Sequence, residues 1–119
     1  INMSGEIKYN VISVRQGDSF IINIELKNGC KPVNLEGAEL RMDVRKNKNL
    51  IFSAVGVNVE VEKGKMAIVL TPEQTNNEVG EYDCDIQLTT ADGSINTIYP
   101  ANVNQIGTFR ITEQVTQGV

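Results

Sequence analysis

The stretch 71–93 constrains the fold more than any other part of the chain. Its second half alternates strictly, with Tyr82, Cys84, Ile86 and Leu88 on one side and Glu81, Asp83, Asp85 and Gln87 on the other. A period of two sends successive side chains to opposite faces of a strand, so residues 81–90 predict a half-buried strand with an apolar inner face. Its first half predicts a corner. Thr71 suits a helix N-cap, Pro72 the first helical position, and Glu73 and Gln74 the first turn. Asn76, Asn77 and Gly80 end that helix after a turn or two. Beyond the strand, Ala91-Asp92-Gly93 closes a tight hairpin.

The rest of the chain supplies the layers that such a strand needs. Ile7, Tyr9 and Val11 alternate, and then the phase slips to Ile12 and Val14. That slip predicts a bulge or a strand changing sheets. After a turn at Gln16-Gly17-Asp18, Phe20, Ile22, Ile24 and Leu26 share one face, and Ile21 is the apolar exception on the other. A turn around Gly29 and Pro32 leads to residues 38–46, where Leu40, Met42 and Val44 face in and Arg41, Asp43 and Arg45 face out. Residues 50–54 return as a short strand that Gly56 breaks, and Val57, Val59 and Val61 alternate in a separate one. Lys63-Gly64-Lys65 turns the chain into Met66, Ile68 and Leu70. Residues 95–99 form a strand stopped by Pro100, which has no amide to give a ladder. Residues 101–104 are loop or bulge, and 106–111 a last strand with Phe109 inside. About eight or nine short strands and one brief helix predict an all-β fold, an antiparallel immunoglobulin-like β-sandwich. It spans 1–113 as one domain, with 114–119 a C-terminal linker.

Composition narrows the function classes. A chain of 119 residues holds one domain with a real core. A net charge of −4 argues against nucleic acid and anionic membranes as partners. No apolar run approaches the roughly 20 residues of a membrane span, and no signal peptide is visible. Histidine is absent, which removes the commonest general base and any Ser/His or Cys/His pair. Two cysteines make no disulfide framework. Cys84 falls on an apolar face and Cys30 in a turn at the other end of a sandwich, so both are expected as free thiols in a reducing compartment, a bridge being the alternative.

Each chemical signal has a plainer competitor. Glu81, Asp83 and Asp85 lie on one face about 7 Å apart per step and offer carboxylate oxygens to Ca²⁺. A straight strand does not converge its ligands, so a solvated face is the better reading, and no metal, cofactor or catalytic residue is assigned. Asp18 and Asp92 sit in turns, where aspartate bonds its own backbone. Arg45, Lys46 and Lys48 form a basic tip without aromatic neighbours, unlike a nucleic-acid groove. Tyr9, Tyr82 and Tyr99 read as core or corner tyrosines rather than a sugar platform, and a buried Tyr82 hydroxyl at a sandwich corner needs a backbone partner.

Four runs together resemble one family. They are Gln16-Gly17-Asp18-Ser19-Phe20, Val33-Asn34-Leu35-Glu36-Gly37-Ala38, Leu70-Thr71-Pro72-Glu73-Gln74-Thr75 and Gly80-Glu81-Tyr82-Asp83-Cys84-Asp85-Ile86. With Gly107-Thr108-Phe109-Arg110-Ile111 at the end, the ordered set is similar to the N-terminal domain of phage baseplate upper proteins and related prophage tail proteins. Cys84 stands where that family commonly has an aromatic, and residues 99–105 look like an insertion. The resemblance implies an immunoglobulin-like, non-catalytic module, assembled in the host cytoplasm into the virion. Its partners would be other tail or baseplate subunits, with a homo-oligomer in the particle. A carbohydrate-binding module of a tail fibre or secreted protein is the alternative function, and an enzyme the third.

The sandwich also predicts a charge ladder. If 38–46 and 81–90 are antiparallel neighbours, Arg45 stands towards Glu81 and Arg41 towards Asp85, with Asp43 near the middle.

Overall fold

Nearly every period-two run becomes a strand. A computed structural model describes residues 5–8 (backbone only), 11–100 and 106–113. The strands are β1 (Gly5–Lys8), β2 (Val11–Arg15), β3 (Phe20–Glu25), β4 (Lys27–Asn28), β5 (Lys31–Pro32), β6 (Glu39–Lys46), β7 (Asn49–Glu60), β8 (Lys65–Leu70), β9 (Gly80–Thr89), β10 (Ile95–Tyr99) and β11 (Gly107–Thr112). One path of neighbours runs β1-β2-β11-β9-β6-β7-β8-β3, β10 also pairs with β9, and β4-β5 is a separate small hairpin. The sheet is strongly curled and approaches a barrel. Its inner face gathers one core, in which Ile12, Phe20, Leu40, Met42, Ile68 and Phe109 are all fully buried. Phe109 is the hub, edge-on to Phe52 at 5.7 Å and to Tyr82 at 6.5 Å between ring centroids.

Strand β9 lies where its alternation predicts. Tyr82, Cys84, Ile86 and Leu88 are buried. On one side it pairs with β6. Its other side is divided, with Gly80–Cys84 taken by β11 and Ile86–Thr89 by β10. The helical corner also holds, as a single turn, α1 (Pro72–Thr75). Thr71 and Gln74 form a capping box: the Gln74 N–H donates to Thr71 Oγ1 at 3.3 Å and the Thr71 N–H to Gln74 Oε1 at 2.9 Å.

Several expectations are corrected. The phase slip at residues 11–12 marks neither a bulge nor a strand changing sheets: β1 and β2 form an antiparallel hairpin with Lys8 opposite Val11. Tyr9 itself lies outside the described residues. The sheet is not wholly antiparallel, because β2 and β11 run parallel, from Val11 opposite Thr108 to Arg15 opposite Thr112. Gly56 does not end a strand. β7 continues through it for 12 residues, pairing with β6 before Gly56 and with β8 from Gly56 onward. A Cβ at Gly56 would stand 2.7 Å from the Leu40 Cβ, so the missing side chain lets β7 pass close over β6 as it changes partners. Val61 belongs to a 3₁₀ turn, Val61–Lys63, and Val57 and Val59 are exposed. The expected loop 101–104 and linker 114–119 lie outside the described residues.

Candidate functional site

The outer face of β6 and β9 carries the charged residues picked out by the alternation. The two strands are antiparallel neighbours, but the register differs by two residues from the charge ladder. Arg41 stands opposite Gln87, Asp43 opposite Asp85, and Arg45 opposite Asp83. A shift of two residues keeps the same faces in and out, and on the inner face it sets Leu40 opposite Leu88, Met42 opposite Ile86 and Val44 opposite Cys84. Surface charge pairs contribute only about 0–1 kcal/mol each, too little to fix a register. Glu81 pairs instead with Arg110 of β11, whose Nε and Nη2 donate to Glu81 Oε2 at 3.0 and 2.7 Å.

Asp43 is the centre of this face. Arg41 Nε donates to its Oδ1 at 2.8 Å, Ser53 Oγ donates to the same oxygen at 2.6 Å, and Arg45 Nη2 lies 3.6 Å from Oδ2. Burial pushes the Asp43 carboxyl up, but the hydrogen bonds from Ser53 and Arg41 and the two guanidinium charges outweigh it and hold it below the usual range. Its neighbour moves the other way. Burial, and then the charge of Asp43, push the Asp85 carboxyl up, with Arg45 opposing. A shallow cleft of about 350 Å³ opens beside them, lined by Asp43, Arg45, Asp83, Asp85, Thr97 and Pro100 among others. Two carboxyls shifted in opposite directions suggest an acid/base pair in outline. Here Asp43 already accepts from Arg41 and Ser53, which leaves the shifts with a structural cause. Among the described residues, no group of three or more His, Cys, Asp or Glu is placed to hold a metal ion.

The other candidates resolve into local roles. The Asp92 carboxylate accepts from the Thr90 hydroxyl and from the Ser94 N–H, and these bonds hold it below the usual range. Asp18 lies in a turn whose carbonyl accepts from the Thr75 hydroxyl at 2.7 Å. The basic tip, expected without aromatic neighbours, has one: Lys46 Nζ sits 4.9 Å from the Tyr82 ring centroid, while Arg45 and Lys48 are exposed and Arg45 Nη1 donates to the Lys48 carbonyl at 3.4 Å. The Tyr82 hydroxyl donates to the Glu78 carbonyl at 2.6 Å, the backbone partner that its corner position requires. Tyr99 is half-buried, and burial first and then Cys84 push its phenol up to about 12. Cys30 is exposed and Cys84 buried, both free. Burial, with the charges of Asp85 and Asp83, pushes the Cys84 thiol up to about 12, far from the thiolate that reacts.

A second surface escapes the sequence reading. On the outer face of β3, β8 and β7, Ile21 stands opposite Val69, and Ala67 lies between Asn23 and Val57. Val69 is 43% exposed, Val57 48% and Val55 69%. The available signal is the run Met66-Ala67-Ile68-Val69-Leu70, apolar at every position and therefore apolar on both faces of its strand. Beside it, β3 pairs on one side only among the described residues. No family model matches the chain, and no curated protein matches it.

Proposed function

We propose that the protein is a non-catalytic interaction module of a phage or prophage tail, with an immunoglobulin-like arrangement of its strands, that docks on neighbouring tail or baseplate subunits. One observation carries the reading. The residues that resemble the tail family are the ones that pin the corners of this fold. Gly17-Asp18 and α1 are tied by the Thr75 hydroxyl on the Asp18 carbonyl, and by Gln16 Nε2 donating to the Asn77 carbonyl at 2.8 Å. Leu35 is buried, and Gly37, at φ 76°, turns the chain where a Cβ would lie 2.9 Å from the Ala91 Cβ. Tyr82 anchors the start of β9, and Phe109 fills the core against it.

Two further features support the immunoglobulin-like part. The tyrosine at the start of a strand, bonded to a carbonyl four residues upstream, has the form of a tyrosine corner. β7 also changes partners midway, with β2-β11-β9-β6 on one side of it in the strand order and β8-β3 on the other, an order that a two-layer arrangement would share. The carbohydrate reading has less support, because Phe20, Tyr82 and Phe109 are buried and Phe52 and Tyr99 are half-buried, away from a stacking platform. The test is immunogold labelling of particles purified from a culture that expresses the gene. Label on the tail or baseplate is the expected result. Intact particles that carry none of this protein would overturn the proposal.

A further inference from the structure

We infer that the edge of β3 left unpaired among the described residues is a self-pairing surface whose occupant is β3 of a second copy of this chain. The Leu26 N–H donates to the Gly64 carbonyl at 2.9 Å, continuing the β3–β8 register. In an antiparallel ladder alternate residues direct both backbone groups the same way. Residues 20, 22 and 24 therefore bond towards β8, while Ile21, Asn23 and Glu25 present their amides and carbonyls at the open edge. An edge strand is commonly blunted by proline, lysine or a bulge. Phe20–Glu25 has none of these.

The strand is complementary to itself. Antiparallel pairing about a two-fold axis at Asn23 sets Ile21 opposite Glu25 of the second copy, Asn23 opposite Asn23, and Glu25 opposite Ile21. Every edge-directed amide and carbonyl of those residues is then bonded. Glu25 is the strand's one charged residue, and this register keeps it away from its own copy. On the inner side Ile22 meets Ile24 of the second copy. That contact lies beside a gap of about 240 Å³ lined by Ile12, Ile22, Ile24, Ile86, Ile98 and Tyr99, with Asn23 and Glu25 of the pairing strand also at its wall. On the outer side pairing extends the apolar stripe of Ile21, Val69 and Val57 across both copies. The contact is isologous, so it closes at two chains.

This inference rests on the edge geometry and not on the tail reading; a monomer would overturn it and leave the tail reading standing. Sedimentation of the wild-type protein should give twice the 13.1 kDa chain mass. Asn23→Asp and Asn23→Lys each place like charges at the axis and should shift the protein to monomer at the same concentration, with unchanged circular dichroism. Mixing the two variants should restore the dimer, which a merely structural role for Asn23 would not do. Without any substitution, the amides of Ile21, Asn23 and Glu25 should exchange slowly in concentrated solution and fast on dilution. A wild-type monomer at every concentration, single variants as dimeric as wild type, a mixture that stays monomeric, or fast exchange of those amides at high concentration would each overturn it.

Discussion

Replacing Asp85 with asparagine should stabilise the protein, an unusual expectation for a charged residue on a sheet face. Asp85 stands directly opposite Asp43 and is itself half-buried. Side chains of an opposed pair have Cβ atoms about 5 Å apart, and like charges there cost roughly 0.2–1 kcal/mol. Coulomb's law gives the same scale: at ~6 Å, two unit charges repel by roughly 0.7 kcal/mol in water and by no more than about 3 kcal/mol at an effective dielectric of ~20. Arg45 offsets part of this. The expected gain for Asp85→Asn is therefore about 0.5–1 kcal/mol, a rise of about 2–5 °C in melting temperature for a domain of this size. The sign with pH is fixed by linkage. The folded state raises the Asp85 carboxyl above its unfolded value, so folded protein binds that proton more tightly. The cost is fully present above the folded pKa and disappears as pH falls through it towards the unfolded value. Urea unfolding at pH 7 should show the gain, and near pH 3, below the ordinary carboxylate pKa of about 3.9, wild type and variant should converge. Molar salt should shrink the difference at pH 7. A variant less stable at pH 7, or a gain that persists unchanged near pH 3, would refute the reasoning.

Thr75→Val keeps the shape of a fully buried side chain but removes the hydroxyl that donates to the Asp18 carbonyl. It should lower stability by about 1–3 kcal/mol in urea melts, and no loss would remove that tie from the account of the corner. Native protein treated with a thiol reagent should react at Cys30 alone, with Cys84 reacting only after denaturation. Rapid reaction of both thiols in the native state would contradict the buried, weakly acidic Cys84.

The sequence made some of these features readable and hid others for definite reasons. β9 was legible because one face is core and the other is not, so its alternation is unbroken from Glu81 to Leu88. The corner at Thr71 was legible because capping chemistry is local, with both partners within three residues. Gly56 misled because a glycine reads alike as a strand end and as a close crossing, and only the position of Leu40 separates the two. The slip at residues 11–12 misled because the passage from one strand to the next and a bulge shift the phase in the same way. The β6–β9 register misled because exposed charge pairs are too weak to set it and a shift of two residues leaves the alternation unchanged. The Glu81–Arg110 contact joins residues 29 apart on strands whose adjacency no local pattern announces. The outer face of β8 was obscured by its own core face, since Val69 sits between two buried residues.

The parallel pairing of β2 and β11 has a mechanical consequence. The chain before β2 and the chain after β11 leave this pair at opposite ends. A pull applied through them draws the two strands along one another, loading the hydrogen bonds between Val11–Arg15 and Thr108–Thr112 together rather than one at a time. The β1–β2 hairpin, loaded from its open end, would peel first and leave that shear clamp to bear the tension.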